Sequence, residues 1–143
     1  MLRDQMMIKI KLDKGAIAPT RAHPYDAGLD LYTANAFSIP SKMSGTIDTG
    51  VHVEIPEGCV GFIKSKSGLM VNRGITTDGT IDAHYTGSIK VCLFNHGDKP
   101  YHGNAGDKIA QLVIVPCLLP RMELVDSLEE TDRGDNGFGS TGR

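Results

Sequence analysis

Ile47-Asp48-Thr49-Gly50-Val51-His52-Val53-Glu54-Ile55 alternates apolar or β-branched residues with polar or small ones, and it stops at the turn-forming Pro56-Glu57-Gly58. A period of two sends successive side chains to opposite faces of an extended strand, so this run predicts a strand with one buried face. The rhythm recurs on both sides of it. Ile8, Ile10 and Leu12 alternate with Lys9 and Lys11, and Ile89, Val91 and Leu93 alternate with Lys90, Cys92 and Phe94. Leu112 to Val115 is a continuous apolar run closed by Pro116, the pattern of a strand buried on both faces. Turn signals at Asp78-Gly79, Gly87 and Gly97-Asp98 punctuate the chain at intervals of about ten residues. Together these predict an all-β sandwich, barrel or jelly roll. One short helix is expected over Ser65 to Gly74, with a serine cap at its start and a glycine to end it.

With 143 residues, the chain has the length of one ordinary domain. Its 15 basic and 17 acidic residues leave a formal net charge of -2, which argues against a general binder of nucleic acid or membrane surfaces. At 40% hydrophobic it is too apolar for disorder, and no apolar run is long enough to span a bilayer. The N-terminus lacks an apolar signal core. Cys59, Cys92 and Cys117 are odd in number, far apart and part of no CxxC pair. They are expected as free thiols in a reducing cytoplasm, with no structural zinc. From Asp126 the chain turns polar and Gly-rich and has too little apolar surface for a core of its own.

Four glycine-containing segments each set a backbone amide or hydroxyl beside a charged residue. They are Ala27-Gly28-Leu29-Asp30-Leu31, then Lys66-Ser67-Gly68 at the helix start, Gly79-Thr80-Ile81-Asp82 followed by Tyr85 and Gly87, and Arg133 to Gly142. An ammonium, a hydroxyl and free N–H groups at a helix start suit an anion. The last run suits a polyphosphate wrapped by backbone amides, with Arg133 for charge and Phe138 as a stacking face. It is not a P-loop, because no Lys-Ser/Thr pair follows. Taken singly, each segment reads as an ordinary turn or cap.

In order, and together with a fifth stretch at Gly106 to Leu112, the segments resemble the five motifs of homotrimeric dUTPases, from about Pro19 to the C-terminus. Motif one is Asp26 to Leu31 and motif two is Lys64 to Met70. Motif three is Gly79 to Gly87, motif four is Gly106-Asp107-Lys108-Ile109-Ala110-Gln111-Leu112 after Leu93-Phe94-Asn95-His96, and motif five is Arg133 to Gly142. The resemblance implies a jelly-roll, β-barrel-like catalytic domain over 1–131 and a flexible arm over 132–143, with sites shared between the subunits of a trimer. It also implies the reaction, Mg2+-assisted hydrolysis of dUTP to dUMP and pyrophosphate. In that scheme Asp82 orients and deprotonates the attacking water, and Tyr85 lies under the deoxyribose and leaves no room for a 2′-hydroxyl. Thr80, Ile81 and Lys90 belong to the strand-turn-strand that reads uracil through its backbone. Lys66, Ser67 and Gly68 hold the phosphate chain, and Gln111 assists there or orders the site. Arg133 meets the terminal phosphate, Phe138 covers the base, and Gly139 and Ser140 offer amides to anionic oxygens. Asp30 acts on magnesium through water, the ion being held mainly by substrate phosphates.

Three positions depart from the family pattern. Lys66 stands where Arg is usual, and a point charge cannot reproduce a bidentate fork, so the network of phosphate and Asp30 is expected to rearrange. Thr76 stands where some members place an Asn near uracil. Asn136 replaces a common Gly but tolerates left-handed backbone. His84 is expected as a variable surface residue and His96 as part of the Asn95-His96 turn. A dCTP deaminase, which shares the fold, is the enzymatic rival. It needs a proton-shuttling acid at the base, where this chain has Ala83, His84 and Tyr85. The rival from another class is a regulatory role of the kind some phage dUTPases have, with a protein partner.

Overall fold

The computed structural model describes residues 6–139 and 142. The chain order is β1 (Lys9–Leu12), β2 (Leu29–Tyr32), β3 (Phe37–Ile39), β4 (Ser44–Glu54), β5 (Cys59–Lys64), α1 (Ser67–Arg73), β6 (Ile75–Thr76), β7 (Asp78–Ile81), β8 (Ser88–Asn95), β9 (Tyr101–Gly103) and β10 (Lys108–Pro116). The alternating run is the long central strand β4, paired antiparallel with β1 on one side and β8 on the other. The sheets run β1-β4-β8-β6 and β2-β10-β5-β7, with β3-β9 as a separate ribbon, and every pairing is antiparallel.

Alternation explains how the two sheets meet. Val51 and Val53 of β4 and Ile89, Val91 and Leu93 of β8 join Leu29, Leu31, Ile63, Ile81 and Leu112 of the other sheet in one core. Each such side chain contributes about 1.5–3 kcal/mol when fully removed from water. Thr49 shares the inner face of β4, where its hydroxyl donates to the Ile89 carbonyl at 2.7 Å, so its burial leaves no orphan donor. This is the all-β architecture that the alternation predicts, in the jelly-roll form that the resemblance implies. Among the described residues, α1 is the only α-helix, and no helix is long and apolar enough to cross a membrane.

Four local expectations fail. β1 is exposed along its whole length because little within the chain covers its faces, unlike β2, an edge strand whose residues are buried. Leu112 is fully buried, but Val113 to Val115 are half-buried, since nothing within the chain covers the outer face of β10 there. Asp78-Gly79 is not a turn; it opens β7, where a Cβ on Gly79 would come within 3.3 Å of the Ile63 side chain across the ladder. The helix has no serine cap. Its N-cap is Lys66, which makes no side-chain capping bond, and Ser65 is used elsewhere. Gly74 does end the helix, with φ 67, a conformation that suits a residue without a Cβ.

Candidate active site

Asp30 sits mid-strand in β2 with its side chain only 4% exposed. A carboxylate buried there needs partners. It has two, the Lys66 ammonium on Oδ1 and the Lys108 ammonium 3.2 Å from Oδ2. Burial pushes the Asp30 carboxyl up, but the hydrogen bonds and charges of Lys66 and Lys108 outweigh it and hold the group below the usual carboxylate value. Lys108 was not among the expected site residues. It reaches Asp30 because β10 shifts register against β2, so that Gln111 faces Asp30 while Lys108, not Ile109, faces Tyr32. No local sequence pattern reveals such a shift, because it depends on the partner strand.

Gln111 donates from Nε2 to the Ser65 carbonyl at 3.0 Å. Ser65 in turn donates its hydroxyl to the Thr77 carbonyl at 3.0 Å and accepts the Thr77 amide at 2.9 Å. The link from β5 to α1 is therefore fixed at both ends, and the start of the helix with it. Gly28 is part of this arrangement, since a Cβ there would lie 2.0 Å from Gln111 Oε1. Ser67 and Gly68 open α1 and are exposed, and a Cβ added to Gly68 would meet no atom within 4 Å. Thr76 bonds through its hydroxyl to His96 Nε2 at 2.9 Å, and His96 N–H donates to the Gly74 carbonyl at 2.9 Å, so His96 closes the helix exit.

The second group lies between β7 and β8. The Tyr85 amide donates to the Asp82 carbonyl at 3.1 Å and closes a turn in which His84 has φ 73. Left-handed backbone at a non-glycine residue costs about 1 kcal/mol or more, and such strain gathers at functional sites. Asp82 is exposed and lines a hollow of about 590 Å³ with Cys59, Cys117, Leu118 and Leu119. Tyr85 is 44% exposed, its hydroxyl donates to the Ser88 carbonyl at 2.9 Å, and a Cβ on Gly87 would fall 2.6 Å from that hydroxyl. The ring therefore lies across Gly87. Thr80 is exposed opposite Phe62, whereas the Ile81 side chain is in the core, which leaves its backbone for any ligand. Lys90 is exposed on β8 opposite Asp48. His84 is exposed and paired with Glu57 at 3.1 Å.

The third group is the tail. After β10 the described chain has no further strand, and residues 118–136 are all exposed. Arg133 donates from Nε to the Asn136 carbonyl at 2.6 Å, a contact within the tail itself, and Phe138 is fully exposed with φ 48. Gly139 also has positive φ, at 96, and Ser140 lies outside the described residues. Among the described residues, no side-chain hydrogen bond or ion pair joins these three groups within one chain.

A family model described as dUTPase matches residues 14–142. The deoxyuridine 5'-triphosphate nucleotidohydrolase of Yarrowia lipolytica is 41% identical over 141 residues, covering 96% of this chain and 90% of the relative. That of Corynebacterium jeikeium is 43% identical over 140 residues, with 93% and 90% covered. Among solved structures, the dUTPase of Staphylococcus bacteriophage 80alpha with dUpNHpp superposes with a TM-score of 0.89 at 32% identity, over 96% of this chain and 99% of that one. The dUTPase of phage phi11 of S. aureus, described with a structural Mg(II) ion, gives 0.81 at 29% identity, over 87% and 100%. Matched over almost its whole length by sequence and by fold, this chain belongs to the dUTPase family.

Proposed function

We propose that the chain hydrolyses dUTP to dUMP and pyrophosphate, which keeps uracil out of DNA and supplies dUMP for thymidylate synthesis. One observation carries this reading: a single strained turn holds an exposed carboxylate, Asp82, and an aromatic wall, Tyr85, folded across Gly87. Asp82 takes a proton from water as the water oxygen attacks the α-phosphorus. The bond from that phosphorus to its bridging oxygen breaks, and pyrophosphate leaves. Tyr85 stands under the sugar and excludes a 2′-hydroxyl, while the backbone of Thr80, Ile81 and Lys90 reads the base.

Lys66, Ser67 and Gly68 receive the phosphates. Two ammonium groups on one carboxylate leave the cluster of Asp30, Lys66 and Lys108 with a local excess of positive charge, which favours a polyanion. Gln111 orders the site through Ser65. Arg133, Phe138, Gly139 and Ser140 close it as a flexible arm over 132–143, contributed by another subunit of a homotrimer, over the catalytic domain 1–131. Each Asp30 oxygen already faces an ammonium, and the remaining lone pairs of the carboxylate can accept from the water of a hydrated ion. Magnesium arriving with the nucleotide fits that donor set, and when bound it neutralises charge on the phosphates. The three cysteines are free thiols, in keeping with a reducing cytoplasm.

Pyrophosphate release measured with dUTP, dCTP, dTTP and UTP tests the reading, and only dUTP should turn over well. Asp82→Asn should bind nucleotide yet lose at least about two orders of magnitude in rate. Near-normal turnover would remove Asp82 from the mechanism. A second, regulatory role rests on the likeness to phage dUTPases described as controlling transfer of virulence genes. It predicts a protein partner whose binding survives Asp82→Asn.

A further inference from the structure

β4 breaks register in front of the Tyr85 turn. Asp48 faces Lys90 and His52 faces Ser88, so Thr49, Gly50 and Val51 on β4 stand against Ile89 alone on β8. Gly50, at φ 68, makes this bulge, and its carbonyl accepts the Asp13 amide at 2.8 Å. The residues flanking the bulge both reach the turn. Asp48 Oδ1 accepts the Gly50 amide at 2.9 Å and the Ser88 hydroxyl. His52 places Nδ1 at 2.7 Å from the Thr86 carbonyl and Nε2 at 2.9 Å from Asp13 Oδ1. The Tyr85 hydroxyl donates to the Ser88 carbonyl, so the ring is tied to a segment clamped at Thr86 and again at Ser88.

Both atoms that face the His52 ring are acceptors. A neutral imidazole has one N–H to give, and only the imidazolium satisfies the carbonyl and the carboxylate together. We propose that His52 is a positioning residue for sugar selection: as an imidazolium it straps Thr86 to Asp13 and so holds the Tyr85 wall in place. The proposal rests on reading Tyr85 as that wall.

The surroundings agree. Lys11 faces His52 across the β1–β4 ladder, Lys9 and Glu54 line the same hollow, Asp48 stands beyond the bulge with Lys90 opposite it, and Asp13 closes the far side. The Thr86 carbonyl pulls the imidazole pKa up, and burial opposes it. Asp13 also pulls it up against Lys11, and the net result lies above the ordinary 6.5. A raised histidine pKa means that the strap is complete below about 6.5 and is lost as pH rises through the folded value.

The test combines amide and imidazole NMR of the full chain without nucleotide with steady-state kinetics on dUTP and UTP from pH 6 to 9. The amides of Thr86 to Ser88 should shift with the midpoint of the His52 ring. Over the same range the preference for dUTP over UTP should weaken by about three- to tenfold, the net scale of one hydrogen bond. His52→Gln should show the weakened preference at every pH, with KM for dUTP raised and kcat close to wild type. Asp13→Asn should keep the pH dependence but move its midpoint down. Amides that stay still while the ring titrates, or a His52→Gln protein with wild-type KM and preference throughout, would overturn the proposal. If His52→Gln does not fold, an unmoved midpoint in Asp13→Asn overturns it. Absent dUTP turnover in the wild type, or a Tyr85→Ala protein with unchanged preference, would instead defeat the reading of Tyr85, and the NMR midpoint would still decide the strap.

Discussion

Gly87 and Gly28 each lack a Cβ for a reason visible in a neighbour. At Gly87 the added carbon would sit 2.6 Å from the Tyr85 hydroxyl, and at Gly28 it would sit 2.0 Å from Gln111 Oε1. Gly87→Ala must push the Tyr85 ring aside. Because Tyr85 is 44% exposed, the ring has somewhere to go, so the thermal midpoint should change little while turnover of UTP relative to dUTP rises. Melting curves and paired rate measurements check this, and an unchanged ratio would place sugar selection elsewhere. Asp30 makes a different prediction. Its folded pKa is lowered, so its contribution to stability is present above the ordinary 3.8 and is lost as pH falls through the folded value. Asp30→Asn should flatten that part of the stability profile. It should also cost about 2–3 kcal/mol at neutral pH, at or below the usual figure for a broken buried pair, because Lys66 and Lys108 keep a path to water. Urea titrations from pH 3 to 7 would read both effects, and a parallel pair of profiles would show that Asp30 does not titrate as described. Asp82 and Tyr85 are legible in the sequence because they stand in one short motif. Lys108 and His52 are not, because each reaches its partner through a register shift that only the paired strand defines.

Helix α1 shows how little an element needs when its ends are fixed. Seven residues, none of them buried, with no side-chain cap and no acid in the first turn, would not hold a helix alone. Ser65 and Lys66 anchor its entry, and Gly74 with His96 anchors its exit. The tail is the contrary case, an element with no such anchors among its described residues. Ordering it costs roughly 1–2 kcal/mol of backbone entropy per residue, which a highly charged ligand in a dry site can offset. A chain ending at Thr131 should therefore keep its thermal midpoint and lose most of its turnover. Equal activity in the two chains would sink the role of the arm as a lid, and a collapsed midpoint would make it structural. Strand patterns follow the same logic of partners. Alternation is a sound guide in β4 and β8, whose inner faces meet a partner within the chain, and it misleads at β1; the continuous apolar run misleads at Val113 to Val115, where nothing within the chain covers the outer face.

The whole molecule is where those uncovered faces have their consequence. Leu118 and Leu119 are 91% and 81% exposed, Met122 95%, Leu124 99% and Leu128 85%, all in the segment that leads from β10 towards the arm. Burying one such side chain contributes about 1.5–3 kcal/mol, and large apolar side chains exposed together in one segment mark an association surface. The proposed site is divided in the same way, because among the described residues no side-chain hydrogen bond or ion pair joins the Asp30 cluster, the Asp82 turn and the Arg133 segment within one chain. One assembly answers both deficits, in which the outgoing segment packs against a neighbour and carries the arm to another subunit's site. The protein should run as a trimer of about three times 15.4 kDa, with cyclic symmetry that makes all three sites equivalent. Leu124→Asp should shift light scattering towards monomer and make specific activity depend on protein concentration, while leaving the core of a single chain folded. Mixing Asp82→Asn subunits with a chain ending at Thr131 should restore turnover at those sites where an intact Asp82 and an intact arm meet. A monomer with full activity, or mixtures that never regain any, would show that each chain builds its site alone.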